Sequence, residues 1–124
     1  LVRRRISLFS RSSILVEAIL RKSKVGNMTE VFRSKAIAVG SPTVGQNILS
    51  SVGGWLDFLK ELKFKNKKAA VFGCYGWSGE STKVLRTRLT DAGLEVVEPE
   101  IRCNWVPNEE ELNKAVAVAK AICL

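Results

Sequence analysis

Ala69-Ala70-Val71-Phe72-Gly73-Cys74-Tyr75-Gly76-Trp77-Ser78-Gly79 decides the reading of this 124-residue chain. An apolar run stops at glycine and opens into a polar loop that holds Tyr75 and Trp77 between glycines. Ala36-Ile37-Ala38-Val39-Gly40-Ser41-Pro42-Thr43 has the same form. Short apolar runs bounded by turn residues suit strands buried on both faces, and such strands belong to parallel sheets covered by helices. Ligands of open parallel sheets bind in the crevice beyond the carboxyl ends of the strands, which is where both loops lie. Aromatic side chains set between glycines suit a flat aromatic ligand better than a metal or a nucleophile.

Working outward from the two runs, helix and strand alternate. Met28–Ser34 reads as the end of a helix and Ala36–Gly40 as a strand. Ile48–Leu62 carries Ile48, Leu49, Val52, Trp55, Leu56, Leu59 and Leu62 at helical spacing. Gly53-Gly54 inside it costs roughly 1 kcal/mol per glycine, and the pair is expected to let the helix approach the sheet. Lys63–Lys68 reads as a solvated basic turn before the strand Ala69–Gly73. Ser81–Ala92 is amphipathic and stops at Gly93, a C′ residue. A further strand begins at Leu94–Val97 and resumes after Pro99 as Ile101–Trp105. Asn108 and Glu111 form a capping-box pair for a last helix, with Leu112, Val116, Ala119 and Ile122 expected on its core face. The order β-α-β-α-β-α predicts right-handed crossovers and a parallel sheet. Before Met28 the signals are weaker: Ile6–Phe9 suits a strand, and Ser12 and Ser13 suit the cap of a helix through Ile14–Leu20.

Twenty basic and twelve acidic side chains give a net charge of +8. Residues 1–27 hold seven of the basic groups against Glu17 alone, so the body from Met28 is nearly balanced. A nucleic-acid partner would rest on that first segment only, and none is expected. No apolar run approaches the roughly 20 residues of a membrane span, and no signal-peptide pattern is present, so a cytoplasmic protein without a membrane partner is expected. The chain starts with Leu, which suggests a fragment, a processed end or a shifted frame. Three cysteines without a C-x-x-C pair suit free thiols. There is no histidine, which removes Ser-His-Asp and Cys-His catalysis and imidazole-ligated metals. Redox chemistry here would need an organic cofactor.

Thr29–Thr43 and Phe72-Gly73-Cys74-Tyr75-Gly76-Trp77-Ser78-Gly79-Glu80 resemble the two isoalloxazine loops, with their lead-in strands, of the carboxyl-terminal flavodoxin-like domain of A-type flavoproteins, the flavodiiron proteins. The resemblance runs from about Met28 to Ile122. It implies an α/β, flavodoxin-like open parallel sheet with helices on both faces and strand order 2-1-3-4-5. Ala36–Gly40 is then the third strand, Ala69–Gly73 the fourth and Leu94–Cys103 the fifth. It also implies FMN as cofactor, held by Ser41, Pro42, Thr43, Gly45 and Asn47 from the first loop and by Cys74, Tyr75, Gly76, Trp77, Ser78 and Gly79 from the second. Three departures stand out. Ser is more usual at the position of Cys74. The family's Asn two residues after Thr43 is Gly45 here, with Asn47 two later. The family's first strand and phosphate-wrapping loop are missing or degenerate, with Ser10-Arg11-Ser12-Ser13 as the nearest candidate. Residues 1–27 are therefore expected to be a basic segment apart from a partial flavodoxin-like domain over residues 28–124. The family's di-iron domain lies outside this resemblance.

Several positions admit two readings. Tyr75 and Trp77 either sandwich a flavin or pack their loop over the sheet end. Ser41 and Thr43 either bond the flavin or cap the region of Ile48, where Asn47 suits an N-cap. Trp105, beside Pro107, suits a lid over the final strand. The leading expectation is an FMN-binding electron-transfer module, an electron carrier rather than a stand-alone catalyst, serving a redox partner protein. The rival is a non-catalytic remnant or interaction module without flavin, whose uncovered apolar edge would favour homo-oligomers.

Overall fold

The computed structural model describes residues 5–9, 15–19 and 28–123. The strands are β1 Arg5–Phe9, β2 Leu15–Ile19, β3 Ala36–Pro42, β4 Lys68–Tyr75, β5 Glu95–Val96 and β6 Ile101–Asn104. The helices are α1 Met28–Arg33, α2 Ser50–Glu61, α3 Ser81–Asp91 and α4 Glu109–Cys123. β3, β4, β5 and β6 form one parallel sheet. β3 lies on one side of β4, with Ala36 opposite Lys68 and Pro42 opposite Cys74. On the other side, β5 and β6 are one strand interrupted around Pro99: Ala69 faces Val96, and Cys74 faces Cys103. The expected β-α-β-α-β-α order and parallel sheet are thus present. The strands run further than the sequence predicts, because pairing continues into the loops through Ser41, Pro42, Cys74 and Tyr75.

β1 pairs antiparallel with β2, Arg5 opposite Ile19 and Phe9 opposite Leu15. The helix expected from Ile14 to Leu20 is therefore a strand over Leu15–Ile19; two apolar-rich runs joined by a short connection satisfy each other's backbone groups better than a short serine-capped helix does. The phosphate-loop candidate at residues 10–13 lies outside the described residues. Among those described, neither hairpin strand joins the four-stranded sheet, and β3 has no partner on its outer side.

Alternation along β4 separates two sheet faces. Val71 and Gly73 face α3, and Phe72 and Cys74 face α4. The α3 side is closed. Leu56, Leu59, Leu85, Leu89, Val39 and Val71 are buried together, with Trp55 at the margin of the same core. The α4 side is only partly covered, so Ala38 and Phe72 are exposed and the expectation of strands buried on both faces holds for one face alone. α4 is also turned relative to its predicted stripe. Val118 is buried, whereas Leu112 and Val116 are each 54% exposed. The helix lays Ala115 and Val118 on the sheet and leaves its other apolar flank facing the uncovered part.

Local chemistry explains the element ends. α3 ends in a Schellman motif: the N–H of Gly93, at φ +91°, donates to the carbonyl of Thr90, and the N–H of Leu94 to that of Leu89. α4 begins with the reciprocal bonds of a capping box, the Asn108 N–H to Glu111 Oε2 at 2.8 Å and the Glu111 N–H to Asn108 Oδ1 at 2.9 Å. α2 starts two residues later than predicted, at Ser50, because the chain before it is committed to a turn. Of its glycines, Gly53 is buried and its carbonyl accepts from Arg88 at 3.1 Å, while Gly54 meets open space. Lys67 departs most from expectation. Rather than lying in a solvated turn, it is buried, and its Nζ donates to the carbonyls of Val31, at 2.6 Å, and Ser34 at the end of α1. That satisfies carbonyls a helix end leaves open.

Candidate functional site

The loops after β3 and β4 meet at the carboxyl end of the sheet, and each is shaped by one backbone requirement. In the first, Val44 and Asn47 exchange backbone hydrogen bonds of 2.9 and 3.0 Å across a two-residue turn. Both turn residues lie in the left-handed region, Gly45 at φ +54° and Gln46 at φ +60°. A turn of this hand favours Gly, which is what stands at its first position. In the second, β6 returns beside Tyr75. The Trp105 N–H donates to the Tyr75 carbonyl at 3.1 Å, and Trp105 itself sits at φ +59°. A bulky residue in that conformation costs about 1–2 kcal/mol. The bend directs its ring against Gly76, where an added Cβ would lie 2.8 Å from the indole.

The result is a groove of about 650 Å³, within the usual range for small-molecule sites. Pro42, Thr43, Gly45, Gln46, Cys74 and Tyr75 line it, and Gly76, Trp77, Ser78 and Trp105 complete it. Trp77 is 93% exposed. It meets Trp105 at near right angles, with ring centroids 6.3 Å apart and planes at 88°, and that exposure leaves its indole open to a ligand. No hydrogen bond to a described residue is present at the backbone N–H groups of Gly76, Trp77 and Ser78. Thr43 ties the two loops together: its N–H donates to the Cys74 carbonyl at 2.9 Å and its hydroxyl bonds Ser81 Oγ at 3.0 Å.

Of the residues singled out by sequence, Pro42, Thr43, Gly45, Cys74, Tyr75, Gly76, Trp77 and Ser78 come together on this groove. Ser41, Asn47 and Gly79 do not line it. Ser41 is buried; its hydroxyl accepts from the Leu49 N–H at 3.0 Å and donates to the Pro42 carbonyl, so it holds the loop below the groove. Asn47 Oδ1 accepts from the Ile48 N–H at 2.8 Å, which closes the turn rather than capping α2. Gly79 makes room for Arg102, whose side chain an added Cβ would approach to 2.6 Å. Arg102 in turn lies over the Tyr75 ring at 5.9 Å. Gln46 and Trp105 are the two lining residues that sequence reasoning missed. Trp105 read as a lid over its own strand, and only its left-handed backbone turns it into the site.

Among the described residues the lining holds aromatic faces, the hydroxyls of Thr43, Tyr75 and Ser78, the Gln46 carboxamide, free backbone donors and a thiol, and no charged side chain. Such a set can stack a planar ring and hydrogen-bond its edge. Among the described residues there is no group of three or more His, Cys, Asp or Glu placed to hold a metal ion, and no helix is long and apolar enough to cross a membrane.

Comparison with known proteins bears on the family and the fold. The family model described as Flavodoxin matches residues 17–117. The anaerobic nitric oxide reductase flavorubredoxin of Aeromonas hydrophila is 36% identical over 100 residues, which cover 81% of this chain and 20% of that protein. Its counterpart in Escherichia coli K12 is 34% identical over 102 residues, 82% of this chain and 21% of that one. The chain therefore spans about a fifth of the length of these relatives. Among solved structures, rubredoxin oxygen:oxidoreductase from Desulfovibrio gigas superposes with a TM-score of 0.73 at 38% identity, over 77% of this chain and 24% of that one. A flavodoxin from the domain Archaea does so with 0.69 at 27% identity, over 78% and 71%.

Proposed function

The chain belongs to the flavodoxin family, and from that premise we propose that it is an FMN-binding electron-transfer module, with the isoalloxazine ring seated in the groove between the two loops. One observation carries the proposal: the exposed indole of Trp77 stands beside unpaired backbone donors in a groove without charge. FMN supplies the one- and two-electron chemistry when bound. The chain's own groups bind and orient it. Trp77 offers a stacking face, with Tyr75 and Trp105 around it, worth about 0.5–1.5 kcal/mol for an aromatic pair beyond the area buried. The N–H groups of Gly76–Ser78 donate to the ring edge. No lining side chain is an acid, base or nucleophile in this reading, and the module passes electrons to a redox partner protein in the cytoplasm. The functional unit of this proposal is residues 28–124, and the family match reaches into the basic segment of residues 1–27 from residue 17 onward. The nitric oxide reductase activity in the relatives' names belongs to proteins about four times as long, and with no histidine in the sequence imidazole-ligated metal chemistry is not part of the proposal.

The ring end of FMN fits the groove. Among the described residues no lysine or arginine lines it to pair with the phosphate, so in this reading affinity rests on the ring. Titration of the full chain with FMN, followed by flavin fluorescence, is expected to saturate at one flavin per chain. Riboflavin, which lacks the phosphate, should bind within several-fold of FMN. Trp77→Ala should weaken both about tenfold, in keeping with the cost of losing one aromatic stacking partner. Unquenched flavin in the presence of the folded chain would sink the proposal and leave a flavodoxin-family domain without its cofactor.

A further inference from the structure

Cys74 and Cys103 occupy directly opposed positions on neighbouring strands. They are Cα partners in the parallel register of β4 and β6, two residues beyond the pair Phe72 and Ile101. Opposed residues of adjacent strands project from the same sheet face, here the one under α4. Both are half-buried free thiols, and both line a second groove with Phe72, Ile101, Leu112 and Ala115. The Cys103 sulfur leans toward β4: its Sγ lies 3.7 Å from the carbonyl of Gly73, the residue just before Cys74. Adjacent strands run about 4.8 Å apart, inside the roughly 4.4–6.8 Å between Cα atoms that a disulfide spans.

We propose that Cys74 and Cys103 form a redox-active dithiol site that closes reversibly to a cross-strand disulfide by exchange with a low-molecular-weight disulfide. This stands on strand register and does not depend on flavin binding. Cys74 lines both grooves, whereas Cys103 lines only the one beneath α4. Burial, with the Glu111 carboxylate and Cys74 nearby, pushes the Cys103 thiol above its ordinary range. Cys74, which opens onto both grooves, attacks first. It takes one sulfur of the incoming disulfide and releases the other as a thiol. Cys103 then gives up its proton and attacks the Cys74 sulfur of the mixed disulfide, releasing the second thiol. Two protein thiols are oxidised to one disulfide, and one small disulfide is reduced to two thiols. Relaxed disulfides hold their Cβ atoms about 3.5–4.5 Å apart, slightly closer than the strand spacing. The bond sits at the rim of an open groove, within reach of reducing thiols that reopen it. Because Cys74 also lines the aromatic groove, the bond fixes one wall of that site to the last strand.

The sequence makes the test direct. Trypsin places each cysteine on its own peptide, residues 69–83, 103–114 and 121–124. The full chain is incubated with oxidised glutathione, alkylated, digested and mapped by mass spectrometry. The expected product joins 69–83 to 103–114 within one chain, with Cys123 alkylated, so that two of the three thiols disappear and return on treatment with a reducing thiol. Cys123→Ser should leave the cross-link unchanged. Cys103→Ser, checked for native circular dichroism, should stop at glutathione attached to Cys74. Separate glutathione adducts on both peptides of the unsubstituted folded chain, both peptides recovered only in alkylated form, or a link from either to 121–124 would overturn the proposal.

Discussion

Val71 and Phe72 are neighbours in β4 and point to opposite faces of one sheet. Val71 is fully buried beneath α2 and α3, while Phe72 is 42% exposed on the face that, among the described residues, α4 alone covers. The residues are equally apolar, so the difference lies in what is laid over them. The closed face concentrates the packing energy, and the open face holds side chains whose removal forfeits little. On the closed side Thr43 bonds Ser81 at the start of α3, so the aromatic groove is anchored to the better-packed half of the molecule.

The largest expected effect comes from the closed face. Leu89→Ala, at a fully buried position, should cost about 2–5 kcal/mol in urea unfolding, whereas Leu112→Ala on the open flank should stay within about 0.5 kcal/mol. Equal losses would mean that the α4 face is as tightly covered as the other. Two glycines give the next contrast. An added Cβ at Gly73 would lie 2.6 Å from Ser81 Oγ and 2.8 Å from the Ser41 backbone oxygen, and one at Gly40 would lie 2.1 Å from the Phe72 ring. Gly73→Ala should destabilise by about 1–3 kcal/mol. Gly40→Ala should cost less, despite the closer approach, because the Phe72 ring has open space to swing into and the Ser41 backbone does not.

Lys67 lies where α1 meets the closed face. Lys67→Met takes from the Ser34 carbonyl its lysine donor and from the Val31 carbonyl one of three donors, the Ser34 hydroxyl and N–H remaining, and should cost about 1–3 kcal/mol at neutral pH. Burial also lowers the Lys67 pKa. Between that lowered value and the ordinary one, the unfolded chain binds the proton more tightly than the folded chain. Stability should therefore rise with pH across that alkaline window, and Lys67→Met should flatten this part of the curve. A profile of the variant parallel to the original would break the argument. The smallest effect is a gain: Gly54 sits inside α2 with nothing near its would-be Cβ, so Gly54→Ala should raise stability by up to about 1 kcal/mol, read from the thermal midpoint.

Much of the fold was legible because glycine punctuates it. Apolar runs ending at Gly40 and Gly73 marked the strands, Gly93 marked the end of α3, and Asn108 with Glu111 marked the start of α4. Each is a local rule that tertiary context left intact. Leu112 and Val116 misled because helical spacing identifies an apolar stripe without saying how much sheet lies beneath it. Lys67 misled because its lysine-rich neighbourhood reads as solvated, and only the end of α1, more than thirty residues away, gives the ammonium its acceptors. β2 read as a helix because capping serines are a local signal and strand pairing is not. At the site, the glycines and aromatics of the second loop were legible. Trp105 was not, since its place depends on a left-handed backbone at a residue type that rarely adopts one.

The reciprocal Asn108–Glu111 cap has a consequence for how α4 opens. It secures the first turn, while the rest of the helix is held to the sheet chiefly through Ala115 and Val118, with Leu112 and Val116 on its free flank. α4 is thus the least expensive part of the sheet cover to detach. Its backbone amides should exchange with deuterated solvent through local opening, in a gradient that quickens away from Asn108, whereas the amides around Leu85 and Leu89 should await global unfolding.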